Sequence, residues 1–178
     1  MTEIYGVTGM PLAGKTTVAN MMKEQGFVVL DMGDVVRTEM QKRGVAAEST
    51  GDFVNSMREE HGMDAIAQLS IPYLQEIIDE QDKIVITGMR GWDEKKRFEK
   101  ETNETIEIIA VWASRETRRK RREARQRDED VEGDGFEERD LREIQNGVGK
   151  MISLSDYMIK NEAIGEKKLE QKVNDLVR

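Results

Sequence analysis

The stretch that most restricts what this chain can become is "EIYGVTGMPLAGKTT", residues 3–17 of 178. An apolar run of strand character ends at Gly9. After four intervening residues come Gly14, Lys15 and Thr16, followed by a helical pattern to about Gln25, so G-x-x-x-x-G-K-[ST] is matched at every specified position. Glycines let the backbone of residues 9–14 (Gly9, Met10, Pro11, Leu12, Ala13, Gly14) wrap phosphate oxygens, and the helix start points its free N–H groups at them. In this arrangement Lys15 reaches the terminal phosphates, Thr16 offers its hydroxyl to Mg²⁺, and Thr17 continues the turn. A strand, glycine loop and helix in this order predict an α/β fold with a parallel sheet.

The rest of the chain alternates as such a fold requires. "FVVLD", "KIVIT", "TIEIIAVWAS" and "DYMIKN" read as four more strands, five in all. The apolar run in the fourth implies burial on both faces. Between them lie helical patterns: "MGDVVRTEMQKRG", "STGDFVNSMREEHG" with a Ser or Thr cap, "MDAIAQLSIPYLQEIIDEQ" bent by Pro72, "WDEKKRFEKE", the basic "RETRRKRREARQR" and "FEERDLREIQNG". A helix from Gly165 onward closes the chain. We expect one domain over residues 1–178, with a helical acceptor-binding insert at 33–62 and an arginine-bearing lid at 114–142.

Composition narrows the setting. With no cysteine there is neither disulfide nor thiolate metal site, and the lone His61 cannot build a multi-histidine centre. A net charge of -8 argues against general nucleic-acid binding, although a local RNA contact through the basic stretch stays open. No run spans a membrane and the start lacks a signal pattern, so a cytoplasmic protein is expected. Oligomeric state is not legible.

After the second strand, "DMGDVVR" places Gly33, Asp34 and Arg37 in a pattern that resembles G-D-x-x-R of the adenylate kinase group. "TGMRG", with Arg90, resembles that group's D-G-x-P-R, offset by one residue. Together with "ASRETRRKRREARQR", "FEERDLRE" and "DYMIKN", the whole order is similar to the archaeal dephospho-CoA-kinase-related family of phosphate-loop proteins. The resemblance implies a three-layer nucleotide-kinase fold using ATP and Mg²⁺, with Asp34, Arg37 and Arg90 on a small phosphate acceptor. That acceptor would be a nucleoside monophosphate or dephospho-CoA type of molecule. It further implies lid arginines on the transferring phosphoryl: Arg121 and Arg125 before the lid loop, Arg139 and Arg142 after it. Arg118, Arg121, Arg122 and Arg125 share one helical face, a crowding that an anion would relieve. Their alternative partners are the acidic residues 128–134 that follow.

One departure bears on chemistry. The group usually places aspartate where this chain has Thr87, at the end of the third strand. A threonine lacks the charge that holds the water shell of Mg²⁺. Asp31, ending the second strand at the same sheet edge, is the candidate replacement, as similar kinases of the shikimate kinase type place an aspartate there. Asp31 also suits a plain helix cap. Two other readings remain open: an NTPase switch or RNA-associated factor, and an ATP-binding regulator without turnover.

Overall fold

The computed structural model describes residues 2–125 and 135–177. Five strands form one sheet: β1 (Glu3–Thr8), β2 (Val28–Asp31), β3 (Lys83–Thr87), β4 (Ile106–Trp112) and β5 (Tyr157–Lys160). Their spatial order is β2-β3-β1-β4-β5 and every pairing is parallel. Alternation along the strands explains the layering. Ile4, Ile84, Ile86, Ile106 and Ile108 face one core, whereas Tyr5, Val7, Val85, Ile109 and Val111 face the other. The fourth strand is thus apolar on both sides, as its run of β-branched residues requires.

The first core is covered by α2 (Met32–Lys42), α3 (Thr50–His61), α4 (Ala65–Glu80) and α5 (Trp92–Thr102), the second by α1 (Lys15–Glu24) and the closing α9 (Glu166–Leu176). The basic stretch forms α6 (Arg115–Arg125), and α7 (Phe136–Gln145) follows. The expected lid, 114–142, is therefore described only at its two helices; Arg127 and the acidic run at 128–134 lie outside the described residues.

Helix α4 runs as one helix with Pro72 inside it, as the pattern implied. Other local details differ from expectation. The expected Ser or Thr cap of α3 is not made: Ser49 contributes no side-chain cap, and Thr50 Oγ1 instead donates to the Ala47 carbonyl at 2.6 Å. A six-residue helix, α8 (Val148–Ser153), has no counterpart in the sequence reading, being too short to show a period. Among the described residues, no helix is long and apolar enough to cross a membrane.

Candidate active site

Parallel strands deliver their carboxyl ends to one edge of the sheet, where ligands of open α/β folds collect. At that edge β1 runs into the phosphate loop. Gly9 has φ +148° and lies so close to the Val111 carbonyl that a Cβ would strike it; Gly14 has φ +106° and faces Asn161 in the same way. Both positions therefore need glycine. Lys15 begins α1 and turns back over the loop, its ammonium donating to the carbonyls of Gly9 at 2.8 Å and Met10 at 3.0 Å. Burial lowers its pKa from 10.5 to about 8; Arg90, Arg139 and Arg118 push the same way, against the pull of Glu143.

Two clefts meet at Lys15 and Thr16. One, of about 740 Å³, runs past Gly14 and Thr17 to Arg121, Arg125 and Ile164. The other, of about 700 Å³, brings Lys15 and Thr16 together with Asp31, Asp34, Arg37, Thr87, Arg90 and Arg139. A third, of about 540 Å³, lies between α3 and α7 and shares Arg58, Arg90 and Arg139 with the second. The candidate catalytic, acceptor and metal residues thus gather around one loop, and Arg121 and Arg125 stand on its opposite side from Asp34, Arg37 and Arg90.

Thr87 and Asp31 prove to be direct neighbours. The β2–β3 register pairs them, and Thr87 Oγ1 donates to Asp31 Oδ2 at 2.8 Å. The other carboxylate oxygen, Oδ1, accepts the Asp34 N–H at 3.0 Å, so Asp31 also caps α2. Cap and candidate metal acid are consequently one residue, held at both oxygens with lone pairs to spare. Arg37 is exposed and bonds Asp34, with Asp31 Oδ1 3.8 Å from its guanidinium. Arg90 points its Nε at Glu143 of α7, 3.1 Å away.

The four arginines expected on one face of α6 divide their tasks. Arg118 is 5% exposed and forms a bidentate pair with Asp140 of α7, both distances 2.7 Å. Arg121 donates to the carbonyls of Leu12, Ala13 and Asn161 at 2.8 to 3.0 Å. Arg122 lines the α3–α7 cleft, and Arg125 the cleft past Gly14. Arg142 lines the former too.

Three site residues were not singled out from sequence. Arg58, its side chain 8% exposed, donates to Asn146 Oδ1 at 3.0 Å and lies 3.8 Å from Glu94, while its Nε is buried without a partner. Glu94 is 1% exposed; one of its oxygens accepts both the Arg90 and Gly91 N–H groups, which fixes the turn that presents Arg90. Burial raises its pKa. Asn161, just beyond β5, donates to the Ala13 carbonyl at 2.9 Å. Only Glu94 carried a local signal, as a glutamate at the third helical position, from which its carboxylate accepts the Gly91 N–H at 3.0 Å. His61 is half exposed and 3.7 Å from Glu60, away from these clefts.

Among the described residues no group of three His, Cys, Asp or Glu side chains could cage a metal. Mg²⁺ needs no such cage, since it keeps much of its water shell and binds through one or two protein oxygens plus substrate phosphates. Thr16 and Asp31, lining one cleft, are the residues that would hold it.

Comparison with known proteins gives a consistent picture. A family model described as "AAA domain" matches residues 8–135. A "UPF0200 protein" of Methanococcus vannielii is 37% identical over 179 residues, covering 99% of this chain and 95% of the relative. A "UPF0200/UPF0201 protein" of Archaeoglobus fulgidus is 35% identical over 162 residues, and the chain spans 50% of its length. In fold, the chain is similar to a shikimate kinase from Acinetobacter baumannii solved with shikimate: TM-score 0.60, 18% identity, 99% of this chain and 93% of that one. The sheet order, the loop and these matches together make the chain a phosphate-loop protein of kinase-like fold that matches the AAA-domain model over residues 8–135 and belongs to the UPF0200 family.

Proposed function

We propose that the protein transfers a phosphoryl group from ATP, with Mg²⁺, to a small acceptor that bears a phosphate or other anion, a nucleoside monophosphate or dephospho-CoA type of molecule being the leading class. The observation that carries this is the meeting of two clefts at Lys15 and Thr16, one toward Arg121 and Arg125, the other toward Asp34, Arg37, Arg90 and Arg139. A switch that only hydrolyses nucleotide has no need of a second, arginine-lined cleft at its phosphate loop.

In this reading Lys15 and the loop N–H groups hold the donor's phosphates, and Arg125 and Arg139 approach the transferring group from opposite sides. Arg37 and Arg90 fix the acceptor through paired guanidinium donors. Asp34 orients an acceptor hydroxyl. Bound Mg²⁺, held by Thr16 and Asp31, would neutralise charge on the donor phosphates. Phosphoryl transfer asks for positioning and charge stabilisation more than covalent participation, so no protein nucleophile is needed.

Thr87 supports turnover rather than its loss, because it steadies Asp31 instead of leaving the strand end without an acid. Removing that hydroxyl by Thr87→Val should raise the Mg²⁺ concentration for half-maximal turnover about tenfold, as for partners that orient metal ligands elsewhere. Asp31→Asn should shift it further. An unchanged Mg²⁺ titration in both variants would strike the pair from this role.

The deciding assay follows ADP release from ATP and Mg²⁺ with a panel of nucleoside monophosphates, dephospho-CoA and, given the fold neighbour, shikimate. One acceptor recovered in phosphorylated form, with release accelerated by orders of magnitude, is the expected result. Release indifferent to every acceptor but stimulated by RNA or protein would favour the NTPase switch.

A further inference from the structure

The phosphate loop of this protein is held from outside by cations. For its N–H groups to converge on an anion, its carbonyls must turn outward, and an outward carbonyl needs a donor. Gly9 and Met10 have Lys15. The next three carbonyls are all met by α6 and the end of β5. Arg118 Nη1 approaches the Pro11 oxygen at 3.3 Å, Arg121 Nη1 bonds Leu12 at 2.9 Å and Ala13 at 3.0 Å, and Asn161 bonds Ala13 as well. Leu12 sits at φ +65°, a conformation that costs a non-glycine residue free energy and persists only where its surroundings impose it. Arg121 bonds the carbonyls on that residue and the next.

We propose that Arg118 and Arg121 are positioning residues that set nucleotide affinity by shaping the phosphate loop, not by touching the nucleotide. This rests on the loop binding nucleotide phosphates, as in the function proposed above. Arg118 extends the effect to α7, since its guanidinium spans Pro11 and, in bidentate fashion, Asp140. Asp140 is adjacent to Arg139, which faces the acceptor cleft. Loop geometry and the acceptor-side arginine are thus joined through one buried ion pair.

The probes are ADP and inorganic pyrophosphate, titrated calorimetrically into the full chain. Pyrophosphate has no nucleoside, so it reads the loop alone. For Arg121→Met we expect both affinities to fall together by about tenfold, the effect of losing charge-assisted hydrogen bonds. Asn161→Ala, which frees the Ala13 carbonyl from the other side, should lower both in the same ratio. The double variant Arg118→Met, Asp140→Leu replaces the ion pair with apolar groups and so keeps the helices packed; it too should weaken both ligands together. A loss confined to ADP would overturn the proposal, since it would place Arg121 on the nucleoside. Unchanged affinities in folded variants would overturn it as well. Failure of the wild-type chain to bind either ligand would instead refute the nucleotide reading beneath it.

Discussion

Arg139→Ala should cut the turnover of the accelerated, acceptor-dependent reaction about a thousandfold, the lower end of what an arginine contributes to a transferring phosphoryl group. Its effect on ADP affinity should stay within about threefold, because in free-energy terms it acts where charge develops and not on the bound nucleotide. The geometry makes the separation sharp. Arg139 lines the acceptor clefts, whereas Arg125 lines the one past Gly14. Steady-state rates and calorimetric ADP titration on the same preparation decide it. Equal losses in turnover and ADP affinity would make Arg139 a ground-state ligand, and no loss in either would remove it from the site.

Lys15→Met should abolish measurable acceptor phosphorylation, a fall of at least about a thousandfold, since this ammonium is the one cation built into the loop itself. The wild-type residue offers a companion measurement. With its pKa lowered by burial to about 8, Lys15 loses its charge in a range where an ordinary lysine keeps it. A polyphosphate favours the charged form and must raise that pKa, so at pH 8 wild-type protein should take up more protons on binding than Lys15→Met does, a difference that vanishes at pH 6.5, where Lys15 is already charged. Affinity should then decline as pH climbs above 8. The free protein responds with the opposite sign, because folding lowers this pKa where ligand raises it: the cost of keeping the ammonium buried is fully present below pH 8 and lifts as pH rises toward 10.5, so stability gains there. Calorimetry in two buffers of different ionisation enthalpy counts the protons; equal counts for wild type and Lys15→Met at pH 8 would contradict the assignment.

Much of the architecture could be read from residue order, because strands and helices alternate with clear periods and the loop motif fixes where β1 ends. Sheet order could not, since β2 and β5 end up at opposite edges through crossovers that leave no mark in local periodicity. The loop itself was legible to the residue. Its supports were not. Arg118 and Arg121 look alike on a helical face, and only the packing of α7 and of the β5 end tells one to seek Asp140 and the other the loop carbonyls. Asp31 and Thr87 are separated by 55 intervening positions, so their hydrogen bond is a product of strand register. Arg58 stands in a run of charged residues that reads as solvent-facing, and its burial comes from Asn146 and Glu94 closing over it from other segments.

The direction of the α6 arginines has a consequence for polyanions. A nucleic acid gains affinity from a protein by giving up the counterions condensed on its phosphates, one for each cation that truly replaces them. Helix α6 is the most basic segment by composition, yet Arg118 and Arg121 turn toward the loop, Arg115 lies 3.4 Å from Glu137, and Lys120 bonds Glu116 at 2.7 Å. The charges that a strand lying along it could meet are the exposed ones, Arg115, Arg119, Lys120 and Arg125, two of them already beside a glutamate. What reads as one electropositive ribbon in the sequence is, in the folded chain, divided: Arg118 and Arg121 turn to the phosphate loop, while Arg115, Arg119, Lys120 and Arg125 stay at the surface.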